Sequence, residues 1–294
     1  MYSIAMVSRL TGLNASTIRT WERRYNLLEV DREANGRRSY TDSQVERLRQ
    51  LGRLVAQGHA ISDLARLPLS ALESVTLPAT APRAQTASPY FEKLLEAFLR
   101  QDFGAFRRGL GEALVFLEPL EAVEQVISPM LGEIGRLWAV GQTTVFAEHL
   151  ATAITKQLVL MAAGSRRNSQ SSLRAIFTTL DGDVHEMGSL LAWYLALNVG
   201  VDAIFLGPSL PTDEILLGAE TLSADVIMLS LVRRDDDNRD VRQIEALRRK
   251  LSRGEIWLGA APDHPVHELA DRTGVETFVS YTDFASSLSA ATRR

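Results

Sequence analysis

Three residues in one short stretch could do chemistry together: Asp183, His185 and Glu186, within Leu180-Asp181-Gly182-Asp183-Val184-His185-Glu186-Met187-Gly188. Neutral imidazole is a common metal ligand, and a carboxylate on its other nitrogen fixes the tautomer and raises the basicity. The stretch follows an apolar, β-rich run, Leu173 to Thr179. It leads into a second apolar run, Ser189 to Val199, whose Leu, Ala and Trp content suits a helix. Strand, polar loop and helix in that order place His185 where open α/β sheets bind ligands, outside the carboxyl end of a strand. A loop histidine between acids is also compatible with a solvated turn, and these residues alone leave both readings open.

The surrounding pattern supplies the sheet. Strands are expected at Ala175–Thr179, Ala203–Leu206, Val226–Leu229 and Ile256–Gly259, with a weaker fifth at Thr277–Val279. Helices fall between them, for example over Asp213–Leu222 and Arg239–Leu251. Alternating βα units of this length imply a parallel sheet with helices on both faces, flavodoxin-like (Rossmann-like) in order. Upstream, Tyr90–Arg100, Phe103–Val115, Pro119–Ala139 and Thr144–Ala163 have helical periodicity and short connections, which suggests a four-helix bundle. Trp138 lies in the third of these helices, and Glu148 and His149 near the start of the fourth. By themselves they read as a packed Trp and an exposed Glu-His pair.

The N-terminus has a different character. Ile4, Val7 and Leu10 share one helical face, Thr11-Gly12-Leu13-Asn14 is a tight turn, and Asn14 or Ser16 can cap a second helix over Ala15–Tyr25. Two short helices around a Gly-containing turn read as helix-turn-helix. The second is expected to expose Thr17, Arg19, Thr20 and Arg23 toward base edges and phosphates, with Ile18, Trp21 and Leu27 inward. Asn35-Gly36 marks a hairpin tip, and Arg37, Arg38 and Tyr40 beside it make a wing with a basic edge. Helices over 42–57 and 61–67 complete the segment.

Charge agrees. Residues 1–73 hold 11 Arg, no Lys and 8 Asp plus Glu, about +3; the chain's net −4 leaves −7 for the remainder. A basic end on an acidic protein points to a polyanionic partner at that end. Residues 74–89, rich in Pro, Ala, Thr and Ser, read as a linker that lets the N-terminal part reorient. The expected division is therefore 1–73 winged helix, 74–89 linker, 90–168 helical bundle and 169–294 α/β domain.

Three resemblances sharpen this reading. Residues 17–25 and 35–40, Thr-Ile-Arg-Thr-Trp-Glu-Arg-Arg-Tyr and Asn-Gly-Arg-Arg-Ser-Tyr, closely resemble the MerR-type winged helix. That implies double-stranded DNA as partner, a recognition helix carrying Thr17, Arg19 and Arg23, and a wing carrying Arg37, Arg38 and Tyr40. Asp183, His185 and Gly188 resemble the Asp-x-His-x-x-Gly motif of cobalamin-binding domains in methionine synthase and corrinoid proteins. There the His is the lower axial cobalt ligand, hydrogen-bonded by the Asp. Trp138, Glu148 and His149 resemble the Trp-x9-Glu-His signature of light-responsive, adenosylcobalamin-binding repressors of carotenoid genes, in which they enclose the upper adenosyl group. Together the resemblances cover the chain in that family's domain order. They imply a ligand-controlled homo-oligomer, dimer or tetramer, and DNA dimer symmetry without a long coiled coil after the winged helix points to assembly through the ligand-binding half.

The chain departs from the family at three places. Ala139 stands where the best-known branch has a His able to take the upper cobalt position. The family's Ser-x-Leu and Gly-Gly, which line the slot for the nucleotide tail, appear as Ser230-Leu231-Val232 and Gly259-Ala260. Ser230 and Gly259 are retained, Val232 replaces the Leu, and the methyl of Ala260 reduces the room for backbone approach, so an altered tail slot or a reduced affinity is expected.

Other classes find less support. Asp235, Asp236 and Asp237 read as a solvated turn, and His264 and His267 as surface histidines. No P-loop, dinucleotide fingerprint or Ser/His/Asp order is present. Cysteine is absent, which removes disulfide and thiolate metal sites. At 46% hydrophobic and 23% charged the composition is that of a globular protein, and the lack of a signal peptide or spanning segment gives an expectation of a cytoplasmic protein without membrane contact. A non-enzymatic regulator is thus expected. Set against it are a corrinoid methyl-carrier or mutase subunit, which has no use for a winged helix, and a MerR-type regulator whose C-terminal domain senses another ligand or a protein.

Overall fold

The computed structural model describes residues 1–25, 27–28, 30–32, 36–56, 61–72, 88–164, 173–232, 239–262 and 264–293. They form two compact units, Met1–Gly109 with Ile127–Ala153, and Leu110–Val126 with Ile154–Arg294.

The first unit begins with β1 (Tyr2–Ser3) and α1 (Ile4–Thr11), capped by Ser3 and stopped by Gly12 in the left-handed conformation, φ 76°. There follow α2 (Ala15–Tyr25), β2 (Asp31–Arg32), β3 (Arg38–Tyr40), α3 (Asp42–Ala56), α4 (Ile61–Leu64) and α5 (Leu69–Leu72). The wing hairpin is present, with Arg32 paired to Arg38, and β1 adds a third antiparallel strand through Tyr2 and Tyr40. Gly36 has φ 78°, the turn conformation that favours glycine, while Asn35 lies outside the described residues. Val7, Leu13, Ile18, Trp21, Tyr40, Leu48 and Leu51 fill the core. Val140, from far along the chain, belongs to the same core, and Ala139 packs against it. Asn14, expected as a cap, directs its side-chain amide to Gly141 O.

The helical stretch runs α6 (Pro89–Leu99), α7 (Phe103–Phe116), α8 (Pro119–Glu121), a π-helical turn (Ala122–Ile127), α9 (Ser128–Ala139) and α10 (Val145–Gly164). The single helix expected over Pro119–Ala139 is thus interrupted. Pro129 has no N–H for its i−4 carbonyl, and the widened turn before α9 absorbs the mismatch. The stretch is shared between the two units: α6 and α9 belong to the first and α8 to the second, while α7 and α10 run through both.

The second unit holds β4 (Arg174–Leu180), α11 (Met187–Asn198), β5 (Asp202–Leu210), α12 (Thr212–Thr221), β6 (Val226–Leu231), α13 (Arg239–Lys250), β7 (Glu255–Ala260), α14 (Val266–Thr273), β8 (Glu276–Phe278) and α15 (Tyr281–Ala291). All five strands are parallel, in order β5-β4-β6-β7-β8. This is the expected flavodoxin-like order, with the reversal beside β4. Ile215 and Ala219 of α12, Ile244 and Leu247 of α13 and Val266 and Leu269 of α14 share one apolar core with the strands. Phe177, Trp257, Phe278 and Phe284 form an aromatic cluster with ring centroids 5.3–6.5 Å apart. Each such pair adds about 0.5–1.5 kcal/mol beyond area burial. Among the described residues, no helix is long and apolar enough to cross a membrane.

Candidate DNA interface and cofactor site

In the winged helix, α2 exposes Arg19 and Arg23 and half-exposes Thr20. Arg37 stands exposed beside the hairpin tip. Two expectations are corrected. Thr17 is 1% exposed, so it faces inward rather than toward DNA. Tyr40 is fully buried, and its hydroxyl donates to Glu22 Oε1. Glu22 Oε2 accepts from Arg38 Nε at 2.8 Å. Tyr40 and Glu22 therefore set the position of a wing arginine from beneath. Burial first, then the Glu22 hydrogen bond and charge, push the Tyr40 phenol well above its ordinary pKa.

In the α/β unit, Asp183 and His185 lie on the loop leaving the carboxyl end of β4, the edge strand β5 on one side and β6 on the other. Asp183 Oδ1 accepts from His185 Nδ1 at 2.6 Å and from His185 N at 3.0 Å. Burial raises the Asp183 pKa. Hydrogen bonds from the His185 ring and backbone and from the Val232 amide outweigh that, and the carboxyl lies below its ordinary range. The ring is thus fixed with Nδ1 as donor, and any coordination by it runs through Nε2. Gly188, one turn on, is a cradle: a β-carbon there would sit 2.1 Å from Ser230 Oγ.

Three exposed valines leave the carboxyl ends of the parallel strands: Val184 after β4, Val232 after β6 and Val279 after β8. Val184 adjoins His185 in sequence and the Val232 amide reaches Asp183, so two of these valines flank the oriented imidazole. Among the described residues no group of three or more His, Asp or Glu could hold an ion unaided. The Asp183–His185 pair, with Nε2 left for a metal, and the Gly188 cradle against Ser230 fit a corrinoid.

Two residues beside the site, Tyr281 and Lys156, were not legible in the sequence. Tyr281 lies beneath the cradle, its hydroxyl 3.4 Å from Gly188 O, and burial drives its pKa upward. Lys156 Nζ donates to Glu186 Oε1 at 2.5 Å. Ser230 is buried and Gly259 half-buried, neighbours in the β6–β7 register, with Ala260 buried beside them. Trp138 is half-buried, and its indole N–H is buried without a partner among the described residues. Glu148 Oε2 and His149 Nδ1 are 2.5 Å apart, the imidazole mostly exposed. His264, expected at the surface, is 5% exposed, and its Nδ1 accepts from the N–H of Val266, the first residue of α14. His267 is half-buried, Nε2 against Ala261 O. Asp235, Asp236 and Asp237 lie outside the described residues.

Comparison with known proteins fits this geometry. Residues 2–68 match the MerR HTH family regulatory proteins, and residues 90–161 match the B12 binding domain. The HTH-type transcriptional repressor CarH of Myxococcus xanthus is 32% identical over 96% of both chains. The HTH-type transcriptional repressor CarA of the same organism is 28% identical over 78% of this chain and 76% of its own. The monomethylamine corrinoid protein of Methanosarcina barkeri shares the fold, with TM-score 0.54 at 16% identity over 68% of this chain and 98% of that one. The chain belongs to the MerR-type transcriptional regulators that carry a B12-binding domain, and it is a DNA-binding regulator rather than an enzyme.

Proposed function

We propose that this regulator binds adenosylcobalamin, with His185 as lower axial cobalt ligand, and that light acting on the bound ligand controls its oligomeric state and its hold on promoter DNA. The Asp183–His185 pair at the mouth of a flavodoxin-like sheet carries the reading, and the full-length relationship to a transcriptional repressor supports it. When bound, the cofactor supplies a cobalt–carbon bond that light can break. The chain's own part is to orient. Asp183 fixes the His185 tautomer, Gly188, Ser230 and Gly259 border the slot for the nucleotide tail, and Val184, Val232 and Val279 exclude water beneath the ring. By the family resemblance, Trp138, Glu148 and His149 would hold an adenosyl group. Ala139 has no donor atom and packs on the winged-helix core, so it takes no part in coordination. On DNA, Arg19, Thr20 and Arg23 face the major groove and Arg37 and Arg38 hold the phosphates. The setting is cytoplasmic.

A ligand that favours one assembly stabilises it by differential binding, and losing the ligand removes the bias. The test is size-exclusion chromatography with adenosylcobalamin, in the dark and after green light, on wild type and Trp138→Ala. A larger, DNA-binding species in the dark that dissociates in light is expected, with the response lost in the variant. Identical elution with cobalamin bound would leave a light-independent sensor. A protein that binds no corrinoid would favour a repurposed C-terminal domain, a reading for which Ala260 in the tail slot is the specific observation.

A further inference from the structure

The loop that carries His185 is held from a neighbouring strand by groups that no motif contains. Thr179, the penultimate residue of β4, is fully buried. Its hydroxyl donates to Asp183 O at 2.5 Å and accepts from Ser209 N at 2.8 Å. Ser209 completes a circuit, because its Oγ accepts from Gly182 N at 3.0 Å. One serine on β5 thus binds the loop at both ends of the Gly182-Asp183 step, once directly and once through Thr179.

The end of β5 is bent to allow this. Gly207 has φ 83° and Ser209 has φ 60°, a left-handed conformation that L residues with a β-carbon seldom adopt. The β4–β5 register shifts there twice, between Phe177 and Thr178 and between Thr178 and Leu180. Thr178 Oγ1 donates to Gly207 O at 2.7 Å and anchors the bend. A non-glycine residue in such a conformation persists when its surroundings over-determine it, and these cases cluster at functional sites. On the outer side, Arg239 donates to Asp181 Oδ2 at 2.6 Å and closes over Gly182.

The geometry points to Thr179 and Ser209 as positioning residues for the axial imidazole. They act through the Asp183 backbone, whose carboxylate in turn orients His185. This inference rests on the cobalamin reading of the site. The Thr179 hydroxyl is needed both as donor and as acceptor. Valine has the same shape and can do neither, whereas serine can do both.

The experiment compares wild type, Thr179→Val, Thr179→Ser and His185→Ala. In the cobalamin-free protein, amide hydrogen exchange is read at Ser209 and Gly182. Hydroxocobalamin affinity and visible spectrum are then read for each protein. Thr179→Val should speed Ser209 exchange, perturb the spectrum in the same sense as His185→Ala, and weaken affinity by about 10- to 100-fold, with Thr179→Ser within about threefold of wild type. Wild-type affinity and spectrum in Thr179→Val would overturn the inference, as would equal losses in the Val and Ser variants. Wild type that binds no cobalamin overturns the function reading and this one with it, an outcome visible before any variant is compared.

Discussion

Gly188 lies directly against the side chain of Ser230. A β-carbon on Gly188 would sit 2.1 Å from Ser230 Oγ and 3.1 Å from Ser230 Cβ. Rotating the serine clears its oxygen but not its β-carbon. Gly188→Ala should therefore destabilise the α/β unit by about 1–3 kcal/mol, as overpacking does. Thermal melts followed by circular dichroism check this, and an unchanged melting temperature would mean that α11 shifts freely on the sheet.

Asp183→Asn tests the carboxylate itself. Asparagine can still accept from His185 Nδ1, but the negative charge that supports the imidazole is gone. Corrinoid affinity should fall about 10-fold or more while the fold is kept. Equilibrium binding followed by absorbance measures it, and wild-type affinity would remove the charge from the argument.

Tyr40 makes the winged helix sensitive to alkali. Burial and Glu22 raise its pKa in the folded state above the ordinary value of about 10. The unfolded chain therefore loses this proton first as pH rises. The stabilisation is whole below about pH 10 and declines above it, toward the folded-state pKa. Tyr40→Phe should flatten this decline at the cost of about 1–3 kcal/mol at neutral pH, since Glu22 loses a buried partner. Urea melts at pH 7 and above pH 10 distinguish the two contributions.

Arg37 and Arg19 should fail differently. Arg37→Ala is expected to weaken binding across DNA sequences and reduce the salt dependence by about one counterion. Arg19→Ala should cost about 1–3 kcal/mol and relax sequence preference. Mobility shifts at two salt concentrations separate these outcomes. Glu22→Ala should behave like a weakened Arg38, since it frees that side chain from its 2.8 Å anchor.

Periodicity made the sheet legible. Five apolar runs spaced by helices allow few topologies, and all five strands appear within about two residues of expectation, apart from the longer β5. The β5 extension, Leu206 to Leu210, passes through Gly207, Pro208 and Ser209, residues that read as a break. Thr179 and Tyr281 escaped for another reason. Their roles come from partners 30 and 93 residues away, Ser209 and Gly188, and no local pattern encodes such a pairing. Thr17 and Tyr40 show the limit of reading a helix or wing by motif alone. Position within the segment was right, but which side faces the core was decided by Glu22 and the packing around Trp21.

Val140 gives the winged helix a property that its first seventy residues do not contain. The apolar core around Val7, Leu13 and Ile18 is completed by a residue beyond the end of α9, and Gly141 sits so close that its β-carbon would lie 3.0 Å from Asn14 N. Residues 2–68 match the family model, while the apolar core they build also takes in Val140. Excised at Leu72, the segment would keep every DNA-facing arginine yet present an open apolar socket to water. Unravelling the end of α9 should therefore loosen the apolar core of the winged helix from behind.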